Sequence, residues 1–255
     1  MRWFSKLRKS SSPPIERGSL VPEGVAVFAI GDIHGRLDLL ERLMRRLVEE
    51  VRGLARVEVH FVFLGDYIDR GFSSKQVIDF LVKAEWGRVI PVFLKGNHEQ
   101  VLLDFLERPD VGPRWIEYGG RETLSSYGIS IPSDKSDVAA WGKTSEALSR
   151  AMPETHKAFL GSCRTWHEIG QCYFVHAGID PTKPLSDQTD EDRLWIRDKF
   201  LFSPKKADMV IVHGHTPEDE PVWNGRRIGI DTGAYITNKL TAARIFGSHV
   251  EFIAV

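Results

Sequence analysis

Cysteine is scarce in this chain of 255 residues: only Cys163 and Cys172 are present. Without a CxxC pair they provide neither a disulfide framework nor a cysteine-based zinc site. The sequence also lacks an apolar run of the roughly 20 residues that a membrane-spanning helix needs. The basic N-terminus has no apolar core typical of a secretory signal. These absences predict a reduced, cytoplasmic protein with structural thiols.

An excess of charge of one sign is absent too. The 34 Lys and Arg residues are balanced by 35 Asp and Glu residues. Because general nucleic-acid binders are usually basic overall, we expect no nucleic-acid partner. Positive charge is in excess only locally, in residues 1–24, which combine several basic residues with Pro13, Pro14 and a serine run. A flexible basic lead-in is expected there, with an anionic membrane or partner contact as the alternative.

Three strand–helix units follow one another from residue 25 to residue 106. Each begins with a short apolar run, continues with a glycine-containing polar motif and ends in a helical pattern. This order predicts βαβαβ units, an α/β fold class and a mostly parallel, buried sheet. Residues 107–170 predict a mostly helical insertion, after which strands return, and residues 25–255 predict a single domain. The expected strands are VAVFAI, VEVHFVFL, VIPVFL, QCYFV, DMVIV, RRIGI and KLTAARIF.

Five polar clusters follow directly after predicted strands. In open α/β sheets the loops at the carboxyl ends of strands converge, and ligands bind there. Carboxylates and imidazoles gathered at such an edge are costly to bury unless a cation pairs with them. The clusters are Asp32 with His34; Asp66 with Asp69 and Arg70; Asn97 with His98; His176; and His213 with His215.

Mixed Asp, His and Asn ligands are typical of divalent ions such as Mn²⁺, which we expect first, with Fe²⁺ or Zn²⁺ as alternatives. The candidates outnumber what one four-coordinate ion requires, so two ions about 3.5–4 Å apart are predicted, bridged by Asp66. Water held between such ions is a hydroxide near neutral pH. Arg70 supplies fixed positive charge for a phosphoryl group. The predicted metal ligands are Asp32, His34, Asp66, Asn97, His176 and His215.

The motifs GDIHG, GDYIDRG, GNHE, HAG and GHT, in this order, resemble the signature of the phosphoprotein phosphatase branch of the calcineurin-like metallophosphoesterases. The likeness extends from about Val25 to Phe246, and YGGRETLSSYG is similar to bacterial and phage members of the lambda phage type. The resemblance implies two packed mixed β-sheets flanked by helices. It also implies that Asp66 is shared between an ion held with Asp32 and His34 and an ion held with Asn97, His176 and His215.

The resemblance implies catalytic roles as well. His98 would be the general acid that protonates the leaving oxygen, and Asp69 would orient it. Arg70 would bind phosphate oxygens, and Arg197 would be the second phosphate-binding arginine. Lys95, where some relatives have Arg, is either a phosphate contact or a solvated residue. Relatives also differ at Tyr118, where some have Asn, and the resemblance leaves His213 outside the ligand set.

These features predict a metal-dependent serine/threonine protein phosphatase that acts on a phosphorylated protein or peptide, or on a small phosphate ester. The alternative is a dinucleoside polyphosphate hydrolase on the same site. That branch often has Gln in place of His34 and Asn in place of Asp69, so these residues favour the phosphatase. A non-catalytic phosphate-sensing module is the alternative from another class, and the retention of every ligand argues against it. The sequence gives no indication of the oligomeric state.

Overall fold

A computed structural model describes residues 18–205 and 207–255 of the chain. The first of its two β-sheets has the strand order β10-β9-β1-β2-β3, in which β1, β2 and β3 are parallel as predicted. Strands β9 and β10 form an antiparallel hairpin on the side of β1. The strands of this sheet are β1 (Val25–Ile30), β2 (Glu58–Phe63), β3 (Val89–Phe93), β9 (Thr241–Phe246) and β10 (His249–Ala254).

The second sheet has the order β4-β5-β6-β8-β7 and is also mixed, because β5, β6 and β8 are parallel while β4 and β7 are antiparallel edge strands. Its strands are β4 (Trp166–Ile169), β5 (Cys172–Val175), β6 (Val210–His213), β7 (Val222–Trp223) and β8 (Arg227–Gly229). The predicted helical insertion extends over residues 107–170, but residues 166–169 form strand β4. The helical region therefore ends before residue 166.

Helices connect the strands and form most of the region between residues 107 and 165. None of the described helices is long and apolar enough to cross a membrane. Short 3₁₀ turns also occur at Pro109–Val111, Ile116–Tyr118 and Leu185–Asp187. The α-helices are α1 (Leu37–Arg52), α2 (Ser74–Lys83), α3 (Asn97–Glu107), α4 (Gly112–Trp115), α5 (Gly120–Ser126), α6 (Val138–Ala151), α7 (Glu154–Ser162), α8 (Asp190–Trp195), α9 (Asp198–Leu201) and α10 (Ala234–Thr237).

The two faces of β1 explain how the layers pack. Phe28 belongs to the core that α1 and α2 share with the first sheet, whereas Val27 belongs to a core that also contains Phe174 and Val212 of the second sheet. Successive residues of a strand face opposite sides, so one strand contributes to both cores. The predicted architecture, two packed mixed sheets flanked by helices, is confirmed.

The N-terminal segment is described only from residue 18, and the predicted flexible lead-in at residues 1–17 lies outside the described residues. Leu20 and Val21 are buried. The N–H of Leu20 donates to the carbonyl of Gly247 at 2.7 Å, and its own carbonyl accepts from Gln171 at 2.8 Å. Packed structure therefore begins before the predicted boundary at residue 24.

Candidate metal centre

The loops after the strands bring side chains from both sheets into one cluster. His176 follows β5 of the second sheet, and its Nδ1–H donates to the carbonyl of Leu64, which follows β2 of the first sheet, at 2.8 Å. The N–H of His215 donates to the carboxylate of Asp32 at 3.0 Å. These bonds join the carboxyl ends of strands from the two sheets, where ligand sites of α/β proteins are found.

Asp66 lies at the centre of this cluster. Its Oδ2 is 3.5 Å from Nε2 of His34 and 3.9 Å from Nε2 of His98, whereas its Oδ1 is 3.4 Å from Nε2 of His176. Two groups of potential ligands share this carboxylate, each with ligand atoms within 4.8 Å of one another. One group is His34, Asp66 and His98, and the other is Asp66, His176 and His215. A carboxylate shared in this way can bridge two ions.

Buried polar atoms without partners test whether the residues fit divalent ions. In the described residues, five buried side-chain nitrogen or oxygen atoms have no hydrogen-bond partner. Three of these are Oδ1 of Asp32 and both ring nitrogens of His215. Buried polar atoms are nearly always satisfied, and these are all metal-ligand types. The donor set therefore fits two divalent cations.

The remaining predicted ligands are close to these groups. Oδ1 of Asn97, the first residue of α3, lies 2.9 Å from Nε2 of His176. Asp32 lies beside His215 rather than in either group of three, and it is close enough to Asp66 for the two charges to interact. All six predicted ligands are buried. The structure thus brings together the whole predicted ligand set.

Burial sets the protonation states that metal binding requires. It lowers the pKa of His34 to about 3 and that of His215 to about 2, with neighbouring His176 contributing to the latter shift. Both rings are therefore neutral near pH 7 and can offer a lone pair to an ion. Burial also raises the pKa of Asp32 well above its ordinary value, and the nearby Asp231 and Asp66 raise it further. A bound cation would relieve this carboxylate repulsion.

His98 and Asp69 form a buried dyad beside Asp66. The Nδ1 of His98 is 2.6 Å from Oδ2 of Asp69, which also accepts from the indole N–H of Trp115 at 2.8 Å. The Thr123 hydroxyl donates to the other oxygen at 2.6 Å. Burial alone would lower the pKa of His98, but Asp66 and the bond to Asp69 raise it above its ordinary value. This arrangement favours His98 as a proton donor through Nε2.

Trp115 and Thr123 belong to the predicted helical insertion, and the sequence analysis assigned them no role. Thr123 is fully buried and Trp115 nearly so, and both donate hydrogen bonds to the carboxylate of Asp69. A lone Trp or Thr in a helical segment is usually a packing residue, so no sequence signal marks them.

Arg70 is oriented by contacts that the sequence did not predict. Its guanidinium lies 4.5 Å from the ring centroid of Tyr235, and one of its nitrogens is 3.3 Å from Nε2 of His98. The Tyr235 ring also meets the His34 ring edge-on at 5.3 Å. Arg70 donates its backbone N–H to the carbonyl of Gly119 at 3.1 Å. The guanidinium is therefore held beside His98 and Tyr235, at the group of potential ligands that contains His34.

We expect a Tyr235→Leu variant to raise the KM for p-nitrophenyl phosphate about two- to thirtyfold. A cation–π contact contributes about 0.5–2 kcal/mol, and its loss frees the guanidinium of Arg70. Steady-state kinetics with saturating Mn²⁺ measures the change. The matched control is Tyr235→Phe, which retains the ring and should retain the KM. An unchanged KM in the Leu variant would contradict the positioning role.

Arg197 is also brought to the cluster, at its second group of ligands. Its guanidinium donates to the carbonyl of His215 at 3.2 Å and to the hydroxyl of Thr216 at 3.3 Å. Lys95 is placed differently, because its ammonium group donates to Oε1 of Gln100 at 3.2 Å, and no described contact joins it to the cluster. The structure therefore supports the predicted location of Arg197 and gives no support to a phosphate contact by Lys95.

His213 is buried with both ring nitrogens occupied. Its Nδ1 donates to the carbonyl of Gly214 at 3.0 Å, and its Nε2 accepts from the guanidinium of Arg227 at 3.1 Å. Burial, together with the charge of Arg227, lowers its pKa to about 3. These contacts are consistent with leaving His213 out of the ligand set.

Glu99 is a buried residue of the GNHE motif to which the sequence analysis assigned no role. Its carboxylate accepts the backbone N–H groups of Gly96, Asp66 and Tyr67, each at 2.8 Å. Burial and the nearby Asp66 raise its pKa to about 8. The side chain therefore ties the loop after β2 to the start of α3, and it fixes the spacing between Asp66 and Asn97.

Left-handed backbone conformations are concentrated in the cluster. Six described residues other than glycine have positive φ angles, and five of them are predicted site residues. Such conformations cost L-residues roughly 1 kcal/mol or more each and are found mainly where function requires them. The angles are 46° at His34, 52° at Asp66, 70° at Asp69, 68° at Arg70 and 67° at His215.

Residues 25–250 match the family model described as calcineurin-like phosphoesterase, and the chain belongs to this family. Among curated relatives, it is 29% identical over 247 residues to "Bis(5'-nucleosyl)-tetraphosphatase PrpE [asymmetrical]" of Oceanobacillus iheyensis. That alignment covers 89% of this chain and 90% of the relative. The predicted metallophosphoesterase family is thus confirmed, whereas the lambda phage branch is not.

Solved structures share the fold. A crystal structure described as that of a candidate diadenosine tetraphosphatase has a TM-score of 0.59 and 18% identity, with 95% of this chain and 96% of that chain covered. A serine/threonine phosphatase from Saccharomyces cerevisiae has a TM-score of 0.51 and 14% identity, with 91% and 79% covered. Because structures described with different activities share this architecture, the fold alone leaves the substrate open.

Proposed function

We propose that the protein is a metal-dependent hydrolase of dinucleoside polyphosphates, a bis(5'-nucleosyl)-tetraphosphatase. The observation that carries the phosphoesterase chemistry is the carboxylate of Asp66, shared by two groups of ligands. The substrate class is supported by the relative from Oceanobacillus iheyensis, which the chain matches over nearly its whole length. The sequence analysis preferred a protein phosphatase because of His34 and Asp69. We now propose its alternative, the dinucleoside polyphosphate hydrolase.

The residues of the site divide the chemistry among them. Asp32, His34, Asp66, Asn97, His176 and His215 would hold two divalent ions, which when bound supply a hydroxide near neutral pH and Lewis-acid charge. Arg70 and Arg197 bind the phosphate oxygens. A P–O bond to the attacking oxygen forms while the P–O bond of the anhydride breaks. His98, held by Asp69, gives its Nε2 proton to the leaving oxygen.

A serine/threonine protein phosphatase is the second candidate, and the dyad of His98 and Asp69 favours it. An alkoxide is a poor leaving group and gains most from a general acid, whereas a polyphosphate leaves readily with less help. Anhydride cleavage therefore has less need of a general acid that is supported by a buried carboxylate, as Asp69 supports Nδ1 of His98 at 2.6 Å.

A side-by-side assay of diadenosine tetraphosphate and a phosphoserine or phosphothreonine peptide, each with Mn²⁺, tests the proposal. We expect kcat/KM for diadenosine tetraphosphate to exceed that for the peptide by at least about tenfold, or 1.4 kcal/mol. Chelation of the metal should remove both activities. A preference for the peptide would overturn the proposal and restore the protein phosphatase.

A further inference from the structure

Exposed aromatic side chains lie on the flank of the centre that carries Arg70. Phe72 is 77% exposed and follows Arg70 by two residues. Tyr118 is 56% exposed and immediately precedes Gly119, whose carbonyl accepts the backbone N–H of Arg70 at 3.1 Å. Gly71 lies between Arg70 and Phe72, and a Cβ at this position would clash with the carbonyl of His34. The loop therefore packs directly against His34, one of the predicted metal ligands. The flank therefore combines an arginine with two exposed rings.

The opposite flank, at the second group of ligands, has a similar composition. Trp195 ends α8 and is 39% exposed, and its ring centroid lies 6.5 Å from that of His215. Arg197 follows two residues later and donates to the carbonyl of His215. Arginine and exposed aromatic surface thus occur on both sides of the shared Asp66 carboxylate.

An arginine and exposed aromatic rings on each flank match a ligand that has the same chemical groups at both ends. Large exposed aromatic rings beside a polar centre are typical of ligand sites. Nucleobases stack on aromatic rings, and arginines bind phosphate oxygens. A phosphoserine or phosphothreonine peptide presents a single phosphate and no nucleobase. A dinucleoside polyphosphate presents a base, a row of phosphates and a second base.

We propose that the site binds both nucleosides of a dinucleoside polyphosphate, with one base on Trp195 and the other on the surface formed by Phe72 and Tyr118. Arg70 and Arg197 hold the phosphates between them. The inference rests on the proposed function and deepens it, because it assigns specificity to three residues that take no part in bond cleavage.

Kinetics with two substrates that differ by the second nucleoside test this assignment. Adenosine 5'-tetraphosphate and diadenosine tetraphosphate carry the same four phosphates, and the wild-type enzyme should have the lower KM for the dinucleoside. Trp195→Leu and the double variant Phe72→Leu/Tyr118→Leu should each raise the KM for diadenosine tetraphosphate at least about fivefold, since stacking contributes about 1–3 kcal/mol per base. The KM advantage over adenosine 5'-tetraphosphate should shrink in both variants.

Two other exposed rings provide matched controls. Trp166 is 41% exposed on β4, and Phe202 is 78% exposed after α9, so each resembles one flank residue in size and exposure. Trp166→Leu and Phe202→Leu should leave the KM for both substrates unchanged. Urea unfolding midpoints of all variants establish that the chain remains folded.

The outcomes separate this inference from the function on which it rests. Cleavage of diadenosine tetraphosphate with unchanged KM in both flank variants would overturn the two-base assignment and leave the proposed function intact. A KM change on one flank only would also overturn it, because the site would then recognise a single base. Failure of the wild-type enzyme to cleave diadenosine tetraphosphate, while p-nitrophenyl phosphate is hydrolysed, would overturn both.

Discussion

An Asp66→Asn variant is expected to lose hydrolytic activity to background and to bind fewer than two divalent ions per chain. The two oxygens of Asp66 serve different groups, with His34 and His98 near Oδ2 and His176 near Oδ1. An amide removes the negative charge and offers only one oxygen, so it cannot bridge two ions. Elemental analysis after equilibration with Mn²⁺ and dialysis measures the occupancy, and p-nitrophenyl phosphate hydrolysis measures the activity.

Asp180→Asn is the matched control for this experiment. Asp180 is also buried after β5, but its carboxylate accepts from Lys199 at 2.6 Å and from the hydroxyl of Thr182 at 2.7 Å. Its replacement should leave the metal content unchanged. If the Asp66 variant retained two ions per chain, the shared carboxylate would not be the bridge.

A His98→Asn variant is expected to lower kcat about 10²–10⁴-fold on alkyl phosphates, the usual contribution of a general acid. The loss should be smaller on p-nitrophenyl phosphate and on diadenosine tetraphosphate, because their leaving groups need less protonation. The comparison of kcat across these substrates measures the proton-donor role of Nε2, which Asp69 supports through Nδ1.

The position of His98 in one group of potential ligands gives the experiment a second readout. A general acid can be replaced without loss of metal, so the His98→Asn variant should retain two ions per chain. His156→Asn serves as control, since His156 is also buried but bonds to the hydroxyl of Tyr127 at 2.8 Å, remote in sequence from the motifs. An equal loss of kcat on every substrate, together with loss of metal, would show that His98 is a ligand instead.

Strands β1, β5 and β6 were predictable because they are buried on both faces and form apolar runs. Strand β1, for example, has five fully buried residues after Val25, and its predicted and observed bounds coincide. The edge strands β4 and β10 were missed for the opposite reason. In β10 the exposed His249 and Glu251 interrupt the apolar pattern, and in β4 His167 and Glu168 do the same.

The candidate metal ligands were predictable because each follows a strand within a short motif. The residues that support them were not. Tyr235 reaches Arg70 from α10, which is distant in sequence, and Trp115 reaches Asp69 from the helical region between residues 107 and 165. Contacts of this kind depend on tertiary packing, which leaves no periodic signal in the sequence. The substrate class was also beyond motif reasoning, because the motifs serve the phosphoryl group, and enzymes with different substrates share this fold.

The left-handed backbone of the ligand loops has an evolutionary consequence. At the positions of His34, Asp66, Asp69, Arg70 and His215, glycine would relax the main chain, so each side chain persists against a conformational pressure of roughly 1 kcal/mol. At Asp69, for example, glycine would relieve this strain but would also remove the carboxylate that accepts hydrogen bonds from Trp115 and Thr123. Side-chain bonding and catalysis therefore oppose glycine at this position, and main-chain strain alone favours it.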